Sequence, residues 1–192
     1  MMPENRLSTV PVPSNFIGAR ALASHEQVDY EEGPVAITDV SQGLQAQRWR
    51  MRLIDAEFFW LDAPAVAEYV AYTAPGTSEL SFTFDQQGRL AIAYVQNGSP
   101  KLYWYDSSIP GFTVLTLPVD AKTPKIILDD KRFTQSVVAD IVLQYVLDGR
   151  LKARAQRDRF LIEYDLSAGP WTGIAKLGFN RGLRLQTLCR YF

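Results

Sequence analysis

Acid–base and nucleophilic chemistry starts from histidine, cysteine and paired carboxylates, and this chain is sparing with all three. Histidine occurs once, as His25. A proton relay or a zinc site needs imidazole beside a second polar partner, and there is neither a CxxC nor an HxxxH pattern to supply one. A Ser/His/Asp relay would depend on the same His25, with no GxSxG elbow to present a serine. Cys189 is the single cysteine, so no internal disulfide forms and no oxidising compartment is implied. Asp129 and Asp130 make a carboxylate pair. Neighbours on a strand point to opposite faces, which keeps the two from sharing one substrate. The plainer role is a turn in which aspartate bonds its own backbone, and Asp85 holds the matching place earlier in the chain. A calcium site on Asp129, Asp130 or Asp158 lacks the DxDxDG loop spacing, and no glycine-rich phosphate loop occurs. These residues point to no catalytic group, no metal and no cofactor.

Two basic stripes and one aromatic run remain. Arg48, Arg50 and Arg52 form one stripe; Arg150, Lys152 and Arg154 form the other, extended by Arg157 and Arg159. Alternation at period two sets each trio on one face of a strand. The plainer reading is a solvated face paired with acidic neighbours. The sharper one is an interface stripe that meets an acidic subunit surface or surface phosphates, which the planar, bidentate guanidinium suits. The formal net charge is -1, which offers nucleic acid no bulk attraction. Tyr103-Trp104-Tyr105 sets aromatics on both faces of one strand. A central strand buried on both sides explains this most simply. The functional alternative is a sugar-stacking platform with Tyr103 and Tyr105 as its rings.

The elements that position these residues read as strands. Hydrophobic residues at 47% and charged ones at 21% are ordinary globular usage, and 192 residues can bury a sizeable core as one domain or two small ones. No apolar run approaches the roughly 20 residues that span a bilayer. Residues 1–20 lack the basic-then-apolar layout of a signal peptide, so synthesis in the cytosol without the usual export is expected. Residues 1–34, with Pro3, Pro11 and Pro13, read as an extended N-terminal arm. Such an arm is either a disordered tail or a segment that orders against a neighbouring subunit.

A β domain is expected over residues 35–192. Short strands rich in Val, Ile, Tyr, Phe, Trp and Thr are separated by turn residues. They run Arg48–Leu53, Glu57–Leu61, Tyr69–Thr73, Glu79–Phe84, Arg89–Val95, Lys101–Asp106 and Phe112–Leu117. The breaks at Asp85–Gly88, Asn97–Pro100 and Ser107–Gly111 supply the Gly or Asn that hairpin turns need. Helical periodicity is worth watching only at Ala63–Val70. The second half repeats the layout. Pro124–Asp129 matches Leu80–Asp85, Asp140–Gly149 matches Arg89–Gly98, Arg150–Asp158 matches Lys101–Asp106, and Phe160–Leu166 matches Phe112–Leu117. The period is about 45 to 50 residues, the spacing of a four-stranded propeller blade or stacked β-module. An insertion falls at Lys131–Ala139, and a degenerate third copy at Arg48–Thr73.

The expected fold is therefore all-β and antiparallel. Two blade-like four-stranded modules, at about residues 79–118 and 124–167, pack as a sandwich or an incomplete propeller. A closing hairpin over 172–192 turns at Asn180–Gly182 and ends on an apolar strand carrying Leu183 and Leu185. That strand either closes the sheet or offers an edge to a partner.

Several strings resemble a family of tailed-bacteriophage virion proteins. They begin with Val40-Ser-Gln-Gly-Leu44, Arg48-Trp49-Arg50, Ala74-Pro75-Gly76 and Phe84-Asp85-Gln86. Ala93-Tyr94-Val95-Gln96-Asn97-Gly98 and Tyr103-Trp104-Tyr105-Asp106 follow. The second copy adds Leu128-Asp129-Asp130-Lys131-Arg132, Asp140-Ile141-Val142-Leu143 and Ala155-Gln156-Arg157-Asp158-Arg159-Phe160, and Gly178 to Gln186 closes the series. The likeness runs in order from about Glu31 to Leu188, and it lies in the succession rather than in any one string. It implies a structural part of the virion tail (tip, baseplate or nozzle), made in the host bacterial cytoplasm. It also implies a symmetric homo-oligomer that contacts other virion proteins and needs no cofactor. The family brings no functional-residue motif to carry over. A host-receptor module of the tail, binding a glycan or pilus, is the alternative, and a hydrolase has only unpaired carboxylates behind it.

Overall fold

The computed structural model describes residues 6–11, 28–30, 35–38, 47–62, 68–129, 139–180 and 185–191, with side chains from Trp49 onward. Two strands come first, β1 (Arg6–Pro11) and β2 (Val28–Tyr30). The first complete sheet follows as β3 (Val35–Thr38), β4 (Gln47–Ile54), β5 (Phe58–Asp62) and β6 (Tyr69–Thr73). The second is β7 (Thr77–Phe84), β8 (Leu90–Gln96), β9 (Ser99–Asp106) and β10 (Gly111–Thr116). The third is β11 (Lys122–Asp129), β12 (Asp140–Leu147), β13 (Arg150–Ala155) and β14 (Tyr164–Ala168). Each of these three is an antiparallel meander of neighbouring strands. The chain closes with β15 (Trp171–Asn180) and β16 (Leu185–Tyr191). These two join β1 and β2 in a fourth sheet of order β1-β16-β15-β2.

The all-β antiparallel character is as expected, but the described residues form four four-stranded sheets where the sequence suggests two modules, a degenerate copy and a closing hairpin. The fourth leaves no repeat in the sequence because it is assembled from segments far apart in the chain. Arg6 stands opposite Tyr191 and Pro11 opposite Gln186, while Tyr30 stands opposite Gly178. The described parts of the N-terminal arm are thus extended strands paired within the chain. The helical periodicity at Ala63–Val70 falls mostly on residues outside the described ones; Tyr69 and Val70 open β6.

The tight turns follow from side-chain chemistry. β4–β5, β8–β9 and β12–β13 are joined by Asp55-Ala56, Asn97-Gly98 and Asp148-Gly149, and all six residues have positive φ. That is the primed turn whose twist matches a hairpin. Asn, Asp and Gly enter the left-handed region cheaply, whereas Ala56 at φ 55° does so at a steric cost.

The sheets stack through three apolar layers. Met51, Phe59 and Leu61 of the first sheet pack with Phe82, Ile92 and Tyr94 of the second. Ala93, Leu102 and Trp104 of the second meet Ile126, Leu143 and Phe160 of the third. Val142, Val146 and Leu151 of the third meet Ile174, Leu177 and Leu185 of the fourth. Each fully buried large side chain contributes about 1.5–3 kcal/mol. β12 is buried on both faces, which is why Ile141-Val142-Leu143 reads as a continuous apolar run. The leading strands also abut, β3 on β7, β7 on β11 and β11 on β15. The same device recurs there: Ile126 N donates to Ser81 Oγ at 3.1 Å, and Ile174 N to Thr123 Oγ1 at 2.6 Å.

One strand boundary departs from expectation. Phe160–Leu166 was matched to Phe112–Leu117, but the last strand of the third sheet begins at Tyr164. Arg159 and Phe160 take φ 54° and 57°, which breaks the extended run. The bend aims the Phe160 ring, fully buried, at Trp104 of the second sheet, with centroids 4.9 Å apart and planes at 80°.

Candidate functional site

Both basic stripes lie beside carboxylates on the neighbouring strands. On the first sheet, Arg50 Nε donates to Asp62 Oδ2 at 2.9 Å, and Arg52 Nε lies 3.5 Å from Asp62 Oδ1. Arg52 also pairs with Glu68, which accepts a further bond from Trp60 Nε1 at 2.8 Å. Arg48 stands opposite Ile37 in the ladder; its side chain lies outside the described residues. Burial pushes the Asp62 carboxyl up, but the Arg50 hydrogen bond and the Arg52 charge outweigh it and hold it below the usual range.

The second stripe is better enclosed. Lys152 Nζ sits 2.6 Å from Asp165 Oδ1 and 3.3 Å from Glu163 Oε1. Arg150 Nε reaches the same Asp165 oxygen at 3.3 Å. Arg154 forks, with Nε to Tyr145 Oη at 2.8 Å, Nη1 to the Phe160 carbonyl at 3.0 Å and Nη2 to Glu163 Oε2 at 3.3 Å. The Tyr145 hydroxyl donates to that Glu163 oxygen as well. Burial would raise the Glu163 carboxyl, yet bonds from Tyr145, Lys152 and Arg154 hold it down. The Asp165 hydrogen bond raises Lys152 in turn. A cation held by partners on its own sheet contributes structure first, although Arg50, Arg52 and Arg150 are exposed.

Arg159, read from sequence as an extension of the stripe, does something else. Its Nη2 crosses to the second sheet and meets Asp106 Oδ2 at 2.7 Å. Asp106 is buried and also accepts from the Ser108 hydroxyl at 2.7 Å and the Ser108 N–H at 2.9 Å. Those Ser108 bonds, together with Arg159, hold the carboxyl at about 2. Arg159 and Phe160 thus form one clamp between sheets. Sequence reasoning missed both it and the central place of Glu163, because neither has a periodic signature.

The aromatic run is a ladder. Tyr103 lies between Tyr72, with centroids 4.2 Å apart at 24°, and Phe112, at 4.8 Å and 2°. Both faces of its ring are covered, so none is open to a sugar. Tyr105 carries the Arg89 guanidinium at 4.3 Å and meets Phe112 edge-on at 5.5 Å. Trp104 points into the layer shared with the third sheet. Leu185 is buried in the layer between the third and fourth sheets, and Leu183 lies outside the described residues.

The carboxylates resolve into turns and ladder ends. Asp85 Oδ1 accepts from the N–H groups of Gln87 at 2.9 Å and Arg89 at 2.8 Å, the self-bonding turn expected of it. Asp129 is buried at the end of β11 opposite Asp140; Asp130 lies outside the described residues. Burial raises the Asp140 carboxyl, while the Arg157 N–H, donating at 3.0 Å, pulls it back in part. Cys189 is fully buried and its thiol is pushed up to about 12 by burial, far from a reactive thiolate. His25 lies outside the described residues, among which no group of three His, Cys, Asp or Glu is placed to hold a metal. No helix among them is long and apolar enough to cross a membrane. No protein-family model, curated protein or solved structure matches the chain.

Proposed function

We propose that this chain is a structural component of a bacteriophage virion, placed in the tail as part of the tip, baseplate or nozzle, and that it works by protein–protein assembly rather than catalysis. The observation that carries this reading is the placement of the phage-like strings on the repeated framework. Ala93 to Gly98 covers the second half of β8 and its turn, Asp140 to Leu143 opens β12, and Tyr103 to Asp106 ends β9. Phe84-Asp85 and Leu128-Asp129 close the leading strands β7 and β11, and strings at corresponding places in successive sheets are what a repeated assembly module would keep. In the same reading the sheets are blades of an incomplete propeller, led by β3, β7, β11 and β15. Its neighbours are other virion proteins and further copies of itself.

The ion-paired faces support a scaffold role, because their charges are already engaged within the chain. The glycan-binding alternative loses its motive at Tyr103, whose two faces are occupied. The test is genetic and biochemical. Particles carrying a disrupted gene for this chain should lack an intact tail end and fail to infect, and purified wild-type particles should contain the chain in multiple copies. Normal assembly and infection without it would refute the proposal.

A further inference from the structure

Outer strands of sheets are where unpaired backbone groups meet solvent, and proteins usually guard them with charge, proline or bulges. Of the three meanders, the first has a register shift where β5 meets β6. The third has one between β13 and β14, and its outer strand carries the ion-paired Asp165. β10 has neither: its register against β9 is continuous from Gly111 to Thr116, and no charged residue occurs from Ser107 to Val119. Phe112 and Val114 are 49% and 43% exposed on it.

Among the described residues β10 pairs only with β9, and its outer edge has a defined pattern. Leu117 N donates to the Pro100 carbonyl at 2.9 Å. In an antiparallel ladder the hydrogen-bonded residues alternate, so Leu117, Leu115 and Thr113 bond inward to β9. Phe112, Val114 and Thr116 then direct their N–H and C=O groups away from the sheet. Pro110 and Pro118, which lack the N–H, bound this row on either side. The whole arrangement is symmetric about Val114. Pro110 and Pro118 are equidistant from it, and so are Ile109 and Val119, which at 70% and 76% are the most exposed large apolar residues described.

We infer that β10 pairs antiparallel with β10 of a second copy of this chain, with Val114 opposite Val114 across a two-fold axis. This register sets Phe112 opposite Thr116, brings every outward N–H opposite an outward carbonyl, and puts Ile109 at the end where the partner's Val119 lies. No charge meets a like charge along it. A two-fold contact uses the same patch on both copies, and a patch that is its own mirror about one residue fits that requirement. The inference rests on the edge geometry and not on the place of the protein in a particle.

Sedimentation of the purified full chain over a concentration series tests it. A dimer that forms with concentration is expected. Val114→Lys sets two lysines directly opposite each other and should raise the dissociation constant about tenfold or more, while far-UV circular dichroism stays unchanged because the side chain is half exposed. Val114→Cys should cross-link the dimer on mild oxidation, since the opposed Cα atoms of a hydrogen-bonded pair lie about 5.5 Å apart. Thr116→Cys, opposite Phe112, should not. A monomer at every concentration, a dimer indifferent to Val114→Lys, or equal cross-linking of the two cysteine variants overturns the inference. The tail assignment is decided on particles and survives such a failure.

Discussion

Three side chains converge on Glu163. It accepts from Tyr145 and Arg154 and neighbours Lys152. Removing one member of a partly buried network leaves the others desolvated without compensation. Glu163→Gln is expected to destabilise the fold by about 1–3 kcal/mol in urea unfolding, with Tyr145→Phe costing less because it removes a neutral donor. Asp106 offers a second test, through pH. Its folded value of about 2 lies below that of an unfolded aspartate, about 3.9. A depressed carboxyl stabilises above the unfolded value, and that contribution is lost as pH falls toward the folded one. Unfolding measured from pH 5 down to pH 2 should therefore steepen between about pH 4 and pH 2. Asp106→Asn should flatten that limb; an unchanged acid slope would remove Asp106 from the account.

At the scale of the element, the turns carry the plainest prediction. Ala56 holds a left-handed conformation at the place where its counterparts are Gly98 and Gly149. Ala56→Gly should stabilise by about 1 kcal/mol, since the Cβ clash costs more than the entropy glycine adds. Thermal unfolding of the single variant checks this. These turns also explain how much of the fold was legible. Asn97-Gly98 and Asp148-Gly149, with alternating apolar residues on either side, announced β8–β9 and β12–β13. Phe160 gave no such signal: an apolar residue in an apolar run reads as strand, and only a neighbouring sheet reveals it as an anchor. Tyr103 and Tyr105 were ambiguous for a related reason, because stacking on Tyr72 or Phe112 needs contacts across strands and sheets. The basic stripes were legible as faces, but Asp62, Glu163 and Asp165 come from other strands at no fixed spacing.

Across the whole molecule, stability depends on how the sheets hold one another. The clamp from the third sheet to the second joins Phe160 under Trp104 with Arg159 on Asp106. Phe160→Ala empties a fully buried site and should cost about 3–5 kcal/mol, enough to loosen the two sheets together in hydrogen exchange while the first sheet is affected less. The fourth sheet binds Arg6–Pro11 to Leu185–Tyr191 and so ties both described ends of the chain into one element. Among the described residues each meander presents an outer strand, and that of the second carries neither charge nor register shift. Such a molecule is suited to being one unit among several. Imaging, at side-chain resolution, of the phage particle in which we propose it sits tests that claim most directly. Density for four four-stranded sheets, present in several symmetry-related copies in the tail, is the result expected. A complete tail whose density is accounted for by other chains would contradict it.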